Sequence, residues 1–452
     1  MARASHFLMM PRHLSPGPFF NAQKGLRAFA SLLALAVLSA LLAGCAFHPG
    51  GQQIAWQAGD QLWVANPDGS NPRQIAPREV AGYAWSPDHH ELSFRYGAAA
   101  NPPAAGATWA AQETPSEIAI VSISGGQPTQ ITPDGGGLVR SDAWWDPSGN
   151  RLLYREYGAG AALGAVYFDS QNDQPVGIAR KVVLNAASLP TLSPDGMRVA
   201  VIDPSGAVRV GPPAQTGTIV ARGAALTLPG TGRPARLLWR PGHDQLVYPT
   251  AGDGADATTL RLLDLASKKD IAITSLTGLR DAAFSPDGSL LLLDTTSSML
   301  LWPVSGQAPR GVIQESDPLA QAWWSPNGSW LLVADSAGLR LYSAASGWRL
   351  QATLTYTTPL TAPTISATTP WRPATANPWN PDGSAFVFAS GPAQWQGVSL
   401  ATPRAGPAGI YVERMGANGP SGAPALIASG NVTAPSWGYS DPSTVLLTAA
   451  AG

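Results

Sequence analysis

The stretch Ala282–Asp294 reads Ala-Ala-Phe-Ser-Pro-Asp-Gly-Ser-Leu-Leu-Leu-Leu-Asp, and most of the chain repeats it. In each copy an apolar or aromatic residue stands two places before a proline, a Pro-Asp-Gly-like corner follows, and an aliphatic run comes next. The copies join Trp85 to Pro87, Trp145 to Pro147, Leu192 to Pro194, Trp239 to Pro241, Phe284 to Pro286, Trp324 to Pro326 and Trp379 to Pro381. Trp437 with Pro442 is a weaker further copy. Successive prolines lie 60, 47, 47, 45, 40, 55 and 61 residues apart. Spacings of this size belong to propeller blades rather than solenoid turns.

Proline fixes φ and supplies no N–H, so it suits the start of a turn, and Asp and Gly suit the positions after it. One short strand therefore ends at Ser-Pro and a second begins beyond the corner: Leu290 to Leu293, Trp330 to Val333, Val199 to Ile202 or Phe386 to Phe388. These runs show little polar alternation, so both of their faces must be buried. Radial stacking of four-stranded sheets covers both faces and disposes of open edges. The Trp144-Trp145 and Trp323-Trp324 pairs fit, because neighbours on a strand point to opposite faces and can fill two different gaps.

A chain of 452 residues could hold two or three domains, but the repeat assigns residues 52–452 to one closed structure. The 48 glycines, 42 prolines and 13% charged residues suit short buried strands joined by tight turns, with helix a minor part. The fold expected is all-β, a β-propeller of four-stranded blades closed by pairing of the N- and C-terminal strands. At the N-terminus Ile54–Trp56, Leu62–Ala65 and Arg73–Ile75 read as the second, third and fourth strands of a blade. At the C-terminus Ala434–Tyr439 reads as a first strand, with Thr444–Thr448 as one more. Sharing one blade between the ends favours eight blades, with seven as the alternative.

Residues 1–44 hold Arg3, Arg12, Lys24 and Arg27, no acidic residue, and the apolar run Ala28–Leu42. This is the pattern of an export signal, too short for a comfortable transmembrane span. It ends in Leu42-Ala43-Gly44-Cys45, which resembles a bacterial lipobox, and Cys45 is the sole cysteine of the chain. The resemblance implies cleavage between Gly44 and Cys45 and a diacylglyceryl group on the Cys45 thiol. Two or more acyl chains at ~0.8 kcal/mol per buried CH₂ would make a stable anchor. The expected location is extracytoplasmic, lipid-anchored at the cell membrane or outer membrane. Residues 45–51 would form the tether, reaching at most about 20 Å before the first strand.

The Ser-Pro-Asp-Gly copies, together with Gln61-Leu-Trp-Val-Ala-Asn-Pro-Asp-Gly-Ser-Asn-Pro-Arg-Gln-Ile75, resemble the WD-like repeats of TolB-type propellers. The resemblance covers roughly residues 52 to 450 and implies the fold; propellers of this kind serve many roles. TolB itself carries a separate domain ahead of its propeller, whereas here the first strand follows the lipobox almost at once.

Without residues 1–44 the chain has 24 basic and 29 acidic residues, a net charge of −5. No basic patch interleaved with aromatics remains, so nucleic acid is not an expected partner. Asp88-His89-His90-Glu91 groups potential metal ligands, yet adjacent histidines in a tight turn point apart, and an exposed corner with no metal is expected. Asp88, Asp195, Asp287 and Asp382 recur once per copy, as turn chemistry alone requires, and lack the Asp-x-Gly spacing of sialidase Asp-boxes. There is no Gly-x-Ser-x-Gly elbow, and only His48, His89, His90 and His243 follow the signal, so little supports acyl-transfer or His-based acid–base chemistry.

The reading is a non-enzymatic module without cofactor that binds a protein or glycan at the cell envelope. Two alternatives stand beside it: a propeller hydrolase or lyase acting on extracellular polysaccharide, and a fixed subunit of an envelope assembly complex. Gly97–Ser116, Tyr356–Asn377 and Gly391–Gly409 are rich in Ala, Pro, Thr and Gly and read as long loops. By strand order all three emerge on the face opposite the Pro-Asp-Gly corners. They carry Trp109, Trp371, Arg372, Trp395 and Arg404, residue types favoured at binding hot spots, and form the expected binding face.

Overall fold

The computed structural model describes residues 53–58, 61–76, 80, 82–96, 116–132, 139–145, 151–157, 163–171, 174–175, 180–186, 188, 191–212, 217–224, 236–254, 256–306, 308–314, 320–335, 338–356, 377–390, 393–397, 405–430 and 432–438. The chain divides into two units, Met1–Gly51 and Gln52–Gly452, and the described residues all belong to the second. Cys45 and its neighbours lie outside them.

The local rule of the repeat is the Ser-Pro corner. At Ser285 the hydroxyl donates to Asp287 Oδ1 at 2.5 Å and accepts the Leu290 N–H at 3.0 Å. Asp287 Oδ1 also accepts the Ser289 N–H at 3.0 Å, and the Gly288 N–H closes the turn on Ser285 O at 2.8 Å. Ser86 with Asp88, Ser193 with Asp195, Ser325 with Asn327, and Asn380 with Asp382 repeat the arrangement. The residue after the acid or amide takes φ near +65° each time, at His89 (62°), Gly196 (68°), Gly288 (66°), Gly328 (68°) and Gly383 (70°). Glycine suits that left-handed conformation, and at Gly383 a Cβ would also strike the Asn327 amide at 2.5 Å.

Each corner joins the first and second strands of an antiparallel sheet, and the second strand is buried along most of its length. Leu290–Thr295 is buried at all six positions. The described strands are arranged in eight antiparallel sheets, in most of which the strands run first-second-third-fourth from one edge to the other. This is an all-β propeller, and its described sheets carry blade labels in chain order. One sheet combines both ends of the unit: Val432–Trp437 is its first strand, followed by Ile54–Ala58, Gln61–Ala65 and Arg73–Ala76. Ile54 pairs with Trp437 and Ala58 with Val432, which is the closure expected from the sequence. Taking that sheet as the first blade, the others follow in chain order to the eighth, Ala385–Ser390, Gly409–Gly416 and Ala425–Ser429 with Trp379 bridged to Phe386. The expected strand Thr444–Thr448 lies outside the described residues.

The core lies between blades. Where the residue before a corner is aromatic it projects into the gap toward the preceding blade: Trp85 packs among Ala55, Leu62 and Val64 of the first blade. Trp239 packs among Ala200, Ile202 and Val208 of the fourth blade. Trp324 packs among Leu290, Leu292 and Leu301 of the sixth, and Trp379 among Leu332, Leu339 and Leu341 of the seventh. Trp437 closes on Val387 and Val412 of the eighth. Trp85, Trp324 and Trp379 are fully buried. The indole N–H is often spent on the preceding blade too, Trp239 on Thr191 O at 3.1 Å and Trp379 on Trp323 O at 3.3 Å.

One expectation is corrected. Gly391–Gly409, read as a long loop, contains the strands Ala393–Gly397 and Ala405–Gly406. The first of these pairs with the outer strand Arg349–Tyr356 of the seventh blade, so that sheet has six strands. The segment is uncharged from residue 391 to 403 and finds a bare strand edge beside it, which sequence composition alone does not reveal. Helix is confined, among the described residues, to the 3₁₀ turn Ala344–Ser346.

Candidate functional site

The first strand of each blade starts, and the second strand ends, at the edge of the ring opposite the Ser-Pro corners. Charged residues gather there on largely apolar strands. Arg140 on the first strand Val139–Trp145 of the third blade binds Glu117 of the second blade at 2.5 Å. Ser116 Oγ holds the Arg140 carbonyl at 2.7 Å. Arg236, ahead of the fifth blade's first strand, donates to Asp281 Oδ1 of the sixth at 2.9 Å and to Ala282 O at 2.7 Å. Arg280 donates to Asp294 Oδ1 at 2.7 Å within the sixth blade. Asp281 and Asp294 are direct cross-strand partners.

These are buried ions, Asp294 only 1% exposed as a side chain. Such pairs add little net stability but penalise any register that separates them. Burial pushes the Asp294 carboxyl up to about 6; Arg280 works against this and Asp281 adds to it. Its second oxygen has no hydrogen-bond donor. The turns beside them are tied in the same way: Asp203 binds Arg209 at 2.7 Å in the fourth blade and Asp335 binds Arg340 at 2.6 Å in the seventh. The arrangement fixes strand ends across the blade junctions and places Asp294 where its carboxyl changes charge in mildly acidic conditions.

Of the residues expected at the binding face, Trp109, Trp371, Arg372 and Arg404 lie outside the described residues. Trp395 stands opposite Leu354 on the strand added to the seventh blade. The corner aspartates are held by their own turns, which draws Asp195 and Asp287 below the usual carboxylate range. For Asp195 the Ser193 hydroxyl contributes most, and for Asp287 burial opposes its Ser285 and Ser289 hydrogen bonds without overcoming them. At the Asp88-His89-His90-Glu91 corner, Asp88 Oδ1 accepts the His90 N–H at 3.2 Å, and burial holds His89 below its ordinary pKa. Among the described residues no group of three or more His, Cys, Asp or Glu is placed to hold a metal ion. A groove of about 350 Å³ opens between the seventh and eighth blades at the corner edge, lined by Asn327, Trp330, Ser384 and Met415 and by no charged residue.

Sequence reasoning passed over Arg236, Arg280, Asp281 and Asp294. The available signal was the Arg280-Asp281 pair at the head of an otherwise apolar first strand, Leu279–Phe284.

No family model matches the chain, and no curated protein matches it. Solved structures similar to it include the periplasmic gluconolactonase of Pseudomonas aeruginosa, at 14% identity and TM-score 0.44, covering 67% of this chain and 94% of that one. The C-terminal WD40 domain of Sif2 is 12% identical with TM-score 0.42, covering 74% and 81%. An oligogalacturonate lyase in complex with manganese is 13% identical with TM-score 0.46, covering 64% and 84%. Likeness at this level carries no argument about activity. Among the described residues no helix is long and apolar enough to cross a membrane.

Proposed function

We propose that the chain is a lipid-anchored, extracytoplasmic propeller that binds a protein or glycan at the cell envelope and catalyses no reaction. The eight described sheets are read as the whole ring, eight blades rather than seven. The observation that carries the binding reading is where the described carboxylates of the corners and blade junctions are spent. The corner acids Asp88, Asp195, Asp287 and Asp382 are bound inside their turns, and Glu117, Asp203, Asp281, Asp294 and Asp335 are bound to arginines. Acid–base catalysis by a carboxylate pair needs at least one of them open to substrate. The lipobox-like Leu42-Ala43-Gly44-Cys45 supports the anchor, and the TolB-like repeat is in keeping with an envelope setting.

The second strand Ile54–Ala58 is entered at its corner end. A tether from Cys45 to that end would turn the corners toward the bilayer and the long segments 97–115 and 357–376 outward. Trp109, Trp371, Arg372 and Arg404 then form the binding face, with Trp395 at its border.

Asp294 favours a second reading, a hydrolase or lyase, because perturbed carboxyls collect at reaction sites. Its burial makes direct contact with a polysaccharide the weaker account. The test is a photo-crosslinking residue at position 109 or 371 in cells, with position 287 as the comparison. Capture of one partner from 109 and 371 but not 287 is expected; capture from 287 alone would reverse the faces. In parallel, Cys45→Ser should leave the protein with its signal attached or release it from the membrane fraction. Continued membrane attachment with the signal removed would end the anchor reading.

A further inference from the structure

A propeller buries the faces of its sheets but leaves the outer strand of each blade with one edge of unpaired N–H and C=O groups. Proteins blunt such edges by keeping them short, charged, interrupted by proline or covered. The described outer strands follow this rule to different degrees. Thr129–Gln130 has two residues, and Arg73–Ala76 and Gly311–Gln314 have four each. Arg180–Ala186 opens with Arg180 and Lys181, Thr218–Arg222 ends in Arg222, and Ala425–Ser429 follows Pro424. Arg349–Tyr356, eight residues long, is covered by the strand Ala393–Gly397.

The longest uncovered and uncharged run lies in Asp270–Thr277 of the fifth blade. It too has eight residues, opens with Asp270 but has no charge or proline from Ile271 to Thr277, and among the described residues pairs only with Ala257–Asp264.

From the bulge onward the covered and the bare strand correspond. Each has a bulge against its third strand, at Gln351 in the seventh blade and at Ile273 in the fifth. Aligned on the bulge, Ala352-Thr353-Leu354-Thr355 matches Thr274-Ser275-Leu276-Thr277. The seventh-blade set is the stretch that accepts the added strand, with Leu354 opposite Trp395 and Ala352 opposite Gly397. Leu354 is buried, while Leu276 is half-buried, and Ile271, at the start of the same strand, is 37% exposed.

We propose that the outer edge of the fifth blade at Thr274–Thr277 is a strand-addition site for an extended, uncharged segment of a partner protein. The seventh blade shows the mode, an antiparallel strand with an aromatic residue set opposite the leucine. Main-chain hydrogen bonds supply affinity in this mode, and the side chains beside them supply selection. An uncharged edge with no lysine or proline inside it admits a segment of the same character and sets nothing against it. This site is on the rim of the ring and does not depend on the binding face proposed above.

The probe is a fluorescent peptide with the sequence of residues 392–398, Pro-Ala-Gln-Trp-Gln-Gly-Val, carrying a photo-crosslinker, added to the full chain. Saturable one-to-one binding is expected, with crosslinks at residues 274–277. Ser275→Pro removes a main-chain donor from the edge, and Leu276→Lys puts a charge beside it. Each should weaken binding at least tenfold, and Leu276→Lys keeps the test open if the proline variant fails to fold. Absence of binding, crosslinks confined to residues 352–356, or equal affinity in Leu276→Lys would overturn the proposal. So would a dimer that dissociates in Leu276→Lys, because the occupant would then be a second copy of the chain.

Discussion

Asp294 is a carboxyl at which burial outweighs the partner. One oxygen receives Arg280 at 2.7 Å, the other has no donor, and Asp281 stands across the strand pair. Burial above all, with Asp281 adding and Arg280 opposing, holds it at about 6, against 3.8 for an ordinary Asp. A carboxyl held above its unfolded value binds its proton more tightly in the folded chain. Its contribution to stability is therefore lost as pH rises from about 4 through about 6 and is constant above that. Asp294→Asn removes this dependence while leaving Arg280 charged throughout. The stability of the natural protein relative to Asp294→Asn should fall by up to roughly 3 kcal/mol between about pH 4 and about pH 7. His89, held below its ordinary value by burial, opposes this trend in both proteins alike and cancels from the difference. Urea unfolding across that range reads the difference directly, and a flat line would mean that Asp294 titrates as it does in water. What sequence reveals at this scale depends on range. The corner acids were legible because their partners are two residues away, as Ser285 and Ser289 are for Asp287. Asp281 was not, because Arg236 is 45 residues distant and belongs to another blade.

The element that organises each blade is the first strand with its corner, and its two signature residues have unequal energetic roles. Trp379 is fully buried among side chains of the preceding blade and donates its indole N–H to Trp323 O at 3.3 Å. Trp324 is equally buried, packs edge-on against Trp348 at 4.9 Å, and its indole nitrogen has no partner. Replacement of either by Ala should cost about 3–5 kcal/mol, because the gap between two sheets cannot collapse to fill the space. Trp→Phe should cost about 1 kcal/mol more at 379 than at 324, since only Trp379 gives up a hydrogen bond. Asp287→Asn should cost far less than either Ala change, because the amide oxygen can still accept from Ser285 and the Ser289 N–H. Thermal melts of the five variants check the order; equal losses for Trp379→Ala and Asp287→Asn would show that the wedge is not core. The wedge and corner were legible because each copy repeats them at a fixed short spacing. The strand Ala393–Gly397 was not, because Ala-Gln-Trp-Gln-Gly has little intrinsic strand signal and is ordered by an edge supplied by another blade.

For the whole molecule the decisive contact is the one that closes the ring. Val432–Trp437 is the first strand of a blade whose other three strands come from the opposite end of the unit, so the sheet cannot form until residues 432–437 join those of 54–76. A hydrogen-bond chain crosses the seam into the second blade. Trp85 Nε1 donates to Ser436 Oγ at 3.1 Å, Ser436 Oγ donates to the Tyr83 hydroxyl at 2.8 Å, and that hydroxyl donates to Ala55 O at 2.9 Å. All four residues are buried. Ser436→Ala removes the bond from the Trp85 indole at 3.1 Å and should cost about 1–3 kcal/mol while preserving two-state unfolding. Ending the chain after residue 430 does more. It removes Trp437 from the gap to the eighth blade and bares the edge of Ile54–Ala58, so both flanking sheets lose a neighbour. The truncated protein should unfold in a broad transition with a lowered denaturant slope, because a ring opened at one seam no longer couples every blade to every other. A synthetic peptide of residues 431–452 added in trans should restore the slope, since the site it fills is intact. A truncated protein that keeps the full cooperativity of the natural chain would show that the seam is not what makes the blades fold as one.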